Sequence, residues 1–262
     1  MSGHSKWHNI QAKKGKADAA KGRIFTKLGR EIAVAAKSNP NPETNSKLAD
    51  IIAKAKAANM PNDNIQRSIK KASGEMSGTD YKELTYEGYG VAGSAVIITT
   101  LTDNVNRTAG DVRSILSKNG GSLGTTGSVS YNFDNKGYIV IERTVELDED
   151  TITEYALEAG ADDVEVSDDV YEIYTAPEAF SDVRKYLEEK NAELMAAAPK
   201  GKRNDEEEPK IRFIEAEVAM IPQNTVTLPE DKVATFLKMV DALEELDDVQ
   251  NVYHNVDLPD EE

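Results

Sequence analysis

The residues that could most readily do chemistry in this chain are the cations crowded into its first 30 positions. This stretch contains eight Lys or Arg side chains and one acid, Asp18. Each cation that contacts a phosphate releases a counterion, so about six to ten such contacts give tight, strongly salt-dependent binding to nucleic acid. The pattern predicts a phosphate-contacting surface, here termed the basic stripe, made of Lys6, Lys13, Lys14, Lys16, Lys21, Arg23, Lys27 and Arg30.

Trp7 and His8 lie inside the basic stripe. Trp7 is the only tryptophan, and stacking on a nucleic-acid base contributes about 1–3 kcal/mol; the alternative is that Trp7 anchors the arm on the following helices. His4 and His8 have a helical metal spacing. Because the chain has 3 His and no Cys, we predict no metal site and place His8 beside phosphate or solvent. The alternative for the whole stripe is a solvated basic face without a ligand.

Two glycine-rich strings resemble phosphate-binding motifs. The string at 88–93 is a literal G-x-G-x-x-G, but that motif must follow a strand and open a helix, and here it precedes a predicted strand. We interpret it as a permissive loop between modules. The second cluster lacks the Lys-Ser/Thr ending of a phosphate loop, so we interpret it as a glycine-rich entry to a strand whose amides could still meet a phosphate. Its glycines are Gly120, Gly121, Gly124 and Gly127.

Catalytic patterns are missing from the sequence. It contains no G-x-S-x-G, and its Asp and Glu residues beyond 141 fall mostly at predicted helix starts and turns, where they cap and solvate. We therefore expect no catalytic residues, no cofactor and no enzyme activity.

Three short amphipathic helices position the basic stripe. They are predicted over about 18–37, 43–58 and 61–72. In the first helix Phe25, Leu28 and Ile32 share one face, and Arg23, Lys27 and Arg30 share the opposite face with a single mismatch, Val34.

The periodicity then changes to that of strands. Strands are predicted at 94–101, 129–133, 138–143, 163–166, 170–175, 211–222 and 249–254, with a turn at Asp134–Gly137 and helices at 108–118, 148–159, 177–190 and 229–246. From Tyr138 the order β-α-β-β-α-β is the ferredoxin-like pattern. The flanking β-α-β and α-β pieces together predict a second, similar α/β unit into which the first is inserted.

Charge is divided unevenly among these modules. The 262-residue chain has a formal net charge of −16, which alone argues against nucleic acid. Residues 1–80 hold 15 basic and 7 acidic side chains, residues 81–140 hold 5 of each, and residues 141–262 hold 11 basic and 35 acidic ones. The basic module is therefore expected to contact phosphates, and the acidic half to avoid them, to bind a basic protein partner, or to fold back on the arm.

Several strings resemble the YebC/PmpR family. They are spread over nearly the whole chain, at Gly3–Trp7, Lys21–Lys27, Asn59–Pro61, Tyr86–Gly90, Asp103–Asn104 with Asn106–Thr108, Gly120–Gly124 and Asp247–Asn255. Val105 departs from the family, whose members often have an arginine there. The resemblance implies a helical domain and two α/β domains, one interrupted by the other. It also implies a cytoplasmic DNA-binding transcriptional regulator; mitochondrial relatives are translational activators, and bacterial members are linked to ribosomes and translation through proline-rich stretches.

The expected fold class is α+β, with an N-terminal helical domain followed by two ferredoxin-like α/β domains, one inserted into the other. The predicted boundaries are 1–82 for the basic helical domain, 83–134 plus 223–256 for the discontinuous domain, and 135–222 for the inserted domain. No run of 18 apolar residues occurs, so no membrane partner is expected.

The expected function is a nucleic-acid-binding regulator of gene expression located in the cytoplasm. Arg107 and Arg113 are secondary contacts, the alternative being surface ion pairs with Asp103 or Asp111. The sequence shows no recognisable helix-turn-helix, zinc finger or basic zipper, which favours a ribosomal RNA target as the alternative to DNA. A third possibility is a protein-interaction adaptor that works through the acidic domains.

Overall fold

A computed structural model of the chain describes residues 17–73, 80–145, 147–197 and 209–258. The chain forms two compact units, one made of 1–134 with 220–262 and the other of 135–219. We call them the outer unit and the inserted unit. The predicted arm, with Lys6, Trp7, His8, Lys13, Lys14 and Lys16, lies outside the described residues.

Among the described residues, three helices come first, and pairs of strands then alternate with single helices. The helices are α1 (Ala17–Ser38), α2 (Ser46–Ala57), α3 (Asn62–Ser73), α4 (Val105–Lys118), α5 (Glu149–Glu158), α6 (Phe180–Ala197) and α7 (Glu230–Glu244). The strands are β1 (Lys82–Tyr89), β2 (Ala95–Thr102), β3 (Ser122–Leu123), β4 (Phe133–Glu142), β5 (Asp163–Val166), β6 (Val170–Thr175), β7 (Phe213–Pro222), β8 (Val226–Thr227), β9 (Val249–His254) and β10 (Val256–Asp257).

Helices α1, α2 and α3 pack around their own apolar core. Leu28 and Ile32 of α1 meet Leu48 of α2 and Ile65 of α3, and all four side chains are buried. Burial of aliphatic side chains supplies most of the stability of such short helices, which are marginal in isolation. The Asn45 side chain caps α2 by accepting the Leu48 amide at 3.1 Å, a contact that fixes where the helix begins.

The outer unit also contains a four-stranded sheet in the order β3-β1-β2-β9. β1 pairs antiparallel with β2 and with β3, and β2 pairs antiparallel with β9. Helices α4 and α7 cover one face, where Val112 and Phe236 pack with Ile98 of β2 in a single apolar core. The sheet and the two helices that cover it follow the chain order β1-β2-α4-β3 before the inserted unit and α7-β9 after it.

The inserted unit has the strand order β5-β6-β4-β7. With its two helices this is the order expected of the ferredoxin-like β-α-β-β-α-β pattern. Ile141 and Ile173 of the sheet pack against Ile152 of α5 and Val183 of α6. The predicted α+β class, with a helical region preceding sheet units, is confirmed.

The predicted strand at 129–133 and the predicted turn at Asp134–Gly137 are both wrong. The predicted hairpin at 129–133 and 138–143 does not form, because β4 runs unbroken from Phe133 to Glu142 and residues Ser130–Asn132 make a 3₁₀ turn. Gly137 is required by packing rather than by a turn: a Cβ there would lie 2.1 Å from Thr175 Oγ1 and 2.8 Å from Phe180 Cβ.

Strand β1 was not predicted. It carries charged residues at 82, 83 and 87 and glycine at 88, a composition that disfavours strands. The strand forms because pairing along its whole length with β2 and a partner for the buried Glu87 carboxylate compensate for that composition.

Candidate nucleic-acid interface

Four of the predicted stripe residues lie on α1. Lys21 and Arg23 are exposed, whereas Lys27 and Arg30 are half-buried. Lys27 and Arg30 are therefore less accessible than the rest of the predicted phosphate-contacting surface on this helix. Val34 on the same face is half-buried too, which accounts for the single apolar residue in an otherwise cationic pattern.

The C-terminal end of α7 covers this face of α1. Lys27 Nζ donates to the Glu244 carbonyl at 2.6 Å, and Arg30 Nη1 donates to the Asp247 carbonyl at 2.8 Å. The Glu244 carbonyl is the last of α7, and the last carbonyls of a helix attract cations because they have no partner within the helix and carry partial negative charge. The Asp247 carbonyl lies in the loop that follows α7. Burial lowers the pKa of Lys27 despite its acidic neighbours. These two side chains thus join the helical segment to the rest of the outer unit.

Asp248 is the centre of this junction. Its Oδ1 accepts from Arg30 Nη1 at 3.1 Å, and its Oδ2 accepts from Arg107 Nη2 at 2.6 Å. Oδ2 also accepts from the hydroxyls of Thr102 at 3.1 Å and Thr108 at 2.9 Å. Burial alone would raise the pKa of Asp248, but these hydrogen bonds and the Arg107 charge outweigh it and hold the pKa below the usual range.

Arg107 forms an ion pair with Asp103, the pairing that the sequence suggested as the alternative to a nucleic-acid contact. Its Nη2 lies 2.8 Å from Asp103 Oδ1 as well as 2.6 Å from Asp248. These two carboxylates raise the pKa of Arg107 above its ordinary value. Arg113, two turns further along α4, is exposed and makes no ion pair with a described residue. Arg113 thus keeps the solvent-facing position that phosphate contact requires, and Arg107 is committed to the protein.

The second glycine-rich cluster already holds an anion of its own. The Glu87 carboxylate accepts the backbone N–H groups of Gly127 at 2.8 Å, Val129 at 2.9 Å and Ser130 at 2.9 Å. Gly127 has a φ of 86°, which turns the loop so that its amides converge. Burial would raise the pKa of Glu87, but the three amides together lower it. The Gly127 amide of the cluster is thus occupied by this carboxylate, and the amides of Gly120, Gly121 and Gly124 donate to backbone carbonyls.

The G-x-G-x-x-G string closes the hairpin between β1 and β2. The Gly90 amide donates to the Ser94 carbonyl at 2.7 Å, and the Gly93 amide donates to the Gly90 carbonyl at 3.2 Å. The interpretation as a loop between modules is wrong, because the string lies within one sheet. A turn between two strands does not present the helix N-terminus that a dinucleotide needs.

Sequence reasoning missed the residues that organise this region. Asp248 and Glu87 bind partners up to 218 positions away in the chain, and no local pattern reports such contacts. Arg67 and Lys71 of α3 are exposed and were not among the predicted site residues. Among the residues that the structure describes, no group of three or more His, Cys, Asp or Glu side chains is arranged to hold a metal ion.

Comparison with protein families identifies the chain. Residues 5–75 match the family described as "TACO1/YebC protein N-terminal domain", and residues 81–200 and 202–256 match "TACO1/YebC second and third domain". The chain belongs to the TACO1/YebC family. The resemblance inferred from the sequence strings is confirmed.

Relatives in the TACO1/YebC family match over essentially the whole chain. A "probable transcriptional regulatory protein" of Clostridium tetani is 53% identical over 262 residues, covering 100% of this chain and 99% of its own. A protein of the same description from Acetivibrio thermocellus is 54% identical, covering 97% of this chain and 98% of its own. Relatives of the chain are thus named as regulators of transcription.

A solved structure shares the fold. The crystal structure of a conserved hypothetical protein from Aquifex aeolicus has a TM-score of 0.77 and 41% identity, covering 95% of each chain. In the part of this TACO1/YebC chain that the structure describes, no helix is long and apolar enough to cross a membrane.

Proposed function

We propose that this chain is a non-catalytic, nucleic-acid-binding regulator of gene expression that works in the cytoplasm. The observation that carries the proposal is the charge of the helical segment: residues 17–73 hold 11 Lys or Arg and 5 Asp or Glu side chains, within a protein whose net charge is −16. A cationic module on an acidic protein is suited to binding a polyanion at one place only. The names of the relatives support a role in regulating transcription.

Contacts within the protein separate the predicted phosphate-binding residues into two groups. Lys21 and Arg23 on α1, Arg113 on α4 and the cations of the arm are proposed to meet phosphates. Lys27, Arg30 and Arg107 are proposed to bind within the protein instead. Lys27 and Arg30 donate to the backbone carbonyls of Glu244 and Asp247, and Arg30 and Arg107 pair with the Asp248 carboxylate. The three predicted domains, with boundaries at 82/83, 134/135 and 222/223, remain part of the proposal.

DNA is the first candidate partner, because relatives are named as transcriptional regulators. Helices α2 and α3 are joined by residues 58–61, a four-residue connection of the length found in helix-turn-helix units. The second candidate is RNA, ribosomal RNA included. It is favoured by a groove between α1 and α3 that Phe25 and Tyr81 line, since a groove of this kind accepts an unpaired base more readily than it accepts a duplex.

The test is salt-dependent binding by the full-length chain. Fluorescence anisotropy with a labelled duplex DNA and a labelled single-stranded RNA, each about 25 nucleotides long, should show affinity that falls steeply as salt rises from about 50 to 200 mM. Crosslinking in cells, followed by sequencing of the bound nucleic acid, then separates promoter DNA from ribosomal RNA. Absence of binding to both probes together with absence of crosslinked nucleic acid would overturn the proposal in favour of a protein-interaction adaptor, whose acidic half binds a basic protein.

A further inference from the structure

A groove of about 530 Å³ lies between α1 and α3. Its lining combines apolar and polar side chains and includes two half-buried aromatic rings, Phe25 on the α1 side and Tyr81 just before β1. Asn64 and Ser68 of α3 also line it, and neither side chain hydrogen-bonds to another described residue. The volume is within the range of pockets that enclose small organic ligands.

The rim of the groove is cationic. Arg67 and Lys71 lie one helical turn apart on α3, line the groove and are exposed. Neither makes an ion pair with a described residue. Two further cations of the lining are engaged elsewhere, Arg30 with Asp248 at 3.1 Å and Lys37 with Asp80 at 3.0 Å. The groove therefore presents the positive charges of Arg67 and Lys71 beside the aromatic rings of Phe25 and Tyr81.

The aromatic wall of the groove is held in place. The Arg30 guanidinium carbon lies 5.6 Å from the centre of the Tyr81 ring, within the range of a cation–π contact. Since Arg30 is itself fixed by Asp248, Tyr81 is positioned before any ligand arrives. A pre-positioned ring loses little entropy when a base stacks on it.

We propose that this groove holds one unpaired nucleotide of a bound single strand. The base packs against Phe25 and Tyr81, with Asn64 and Ser68 at its polar edge, and the neighbouring phosphates meet Arg67 and Lys71. This inference rests on the proposed function and specifies the class of nucleic acid that is bound, a single strand. Duplex DNA keeps its bases stacked and is read by an element that enters its groove, whereas single strands are bound by aromatic stacking beside cations.

The first experiment compares two double variants of the full-length chain. Arg67→Ala with Lys71→Ala removes the rim charges. The matched control, Lys56→Ala with Lys118→Ala, removes two exposed lysines outside the groove. With a labelled single-stranded RNA we expect the rim variant to lose about tenfold or more in affinity and the salt slope to fall by about 1 to 2. The control should lose less than about threefold. Unchanged melting temperatures establish that both variants fold.

The second experiment locates the base. A single-stranded oligonucleotide carrying 5-bromouridine is irradiated with the wild-type chain, and the crosslinked peptide is identified by mass spectrometry. Crosslinks at Phe25 or Tyr81, together with weaker binding of a duplex of the same length, support the inference.

The outcomes separate failure of the inference from failure of the proposed function. Suppose that the wild-type chain binds nucleic acid, but that the rim variant binds as well as the control or that the crosslinks lie only outside the groove. Either result overturns the inference about the groove and leaves the proposed function standing. Equal binding of duplex and single strand also overturns it. A wild-type chain that binds neither probe at low salt overturns both, and an acidic peptide would then be the next ligand to test on the groove.

Discussion

Arg30 Nη1 and Asp248 Oδ1 lie 3.1 Å apart, and this ion pair joins α1 to the loop that precedes β9. The side chains are 21% and 10% exposed, so water screens the pair only partly. Asp248 at the same time binds Arg107, the Thr108 hydroxyl near the start of α4 and the Thr102 hydroxyl at the end of β2. One carboxylate therefore holds together three pieces of chain that are far apart in sequence, and it explains why Arg30 and Arg107, both predicted phosphate contacts, are paired within the protein.

Replacing Asp248 with Asn should destabilise the outer unit. The substitution removes the carboxylate that Arg30 and Arg107 share, while Arg107 keeps its second partner, Asp103. Loss of hydrogen bonds to a charged group costs about 1.5–3 kcal/mol. We expect a decrease of about 2 kcal/mol in the free energy of unfolding, measured by urea denaturation followed by circular dichroism. Asp103→Asn is the control, because Asp103 is an exposed partner of the same arginine and surface ion pairs contribute little. Equal losses for the two variants would contradict the central role of Asp248.

Stability should depend on pH through Asp248. Its pKa is lowered in the folded protein, so its contribution is present above the unfolded value of about 3.9 and is lost as pH falls through the folded pKa. The difference in unfolding free energy between wild type and Asp248→Asn should therefore be largest near neutral pH and shrink below about pH 4. Urea titrations of both proteins at several pH values measure it. A difference that stays constant across this range would show that the charge of Asp248 is not what stabilises the junction.

Glu87→Gln should loosen the glycine-rich loop. The carboxylate accepts three backbone N–H groups, whereas an amide offers one oxygen and turns an N–H group toward donors, leaving buried donors unsatisfied. Hydrogen exchange of the amides of Gly127, Val129 and Ser130 should quicken by about tenfold or more, an effect of over about 1.4 kcal/mol. Amides of the α1–α3 core serve as the internal reference. Uniform quickening across the outer unit, or none at the loop, would contradict the local role of Glu87.

Features that depend on residues close together in the chain could be predicted from the sequence, and features that depend on distant residues could not. Helix α3 and the hairpin β5–β6 depend on local periodicity and were found with nearly their observed bounds. The Gly137 region was misjudged because a turn-like composition and a packing requirement look the same in sequence. The orientation of Lys27 and Arg30 depends on residues 217 positions away, and only the apolar Val34 among the cations indicated that this face was covered.

Gly137→Ala should destabilise the inserted unit. The added methyl would lie 2.1 Å from Thr175 Oγ1 and 2.8 Å from Phe180 Cβ, and overpacking of this kind costs about 1–3 kcal/mol. Gly110→Ala is the matched control: nothing lies within 4 Å of the added Cβ, and the site is an exposed position of α4, where Ala is favoured over Gly by up to about 1 kcal/mol. Differential scanning calorimetry should show a lower melting temperature for the first variant and an equal or higher one for the second. The opposite order would contradict the close approach of β4 to β6 and α6.

Arg23 and Lys27, one turn apart on α1, should separate phosphate contact from folding. Arg23 is 43% exposed and lies 3.6 Å from Glu245, a long surface pair that leaves the guanidinium accessible to a phosphate. Lys27 is half-buried and donates to the end of α7. Arg23→Ala is therefore expected to reduce the salt slope of nucleic-acid binding by about 1 without lowering the melting temperature. Lys27→Ala should lower the melting temperature and leave the salt slope unchanged. Anisotropy titrations at several salt concentrations, run beside thermal melts, distinguish the two effects. A salt slope reduced by Lys27→Ala would show that the contact with α7 opens when nucleic acid binds.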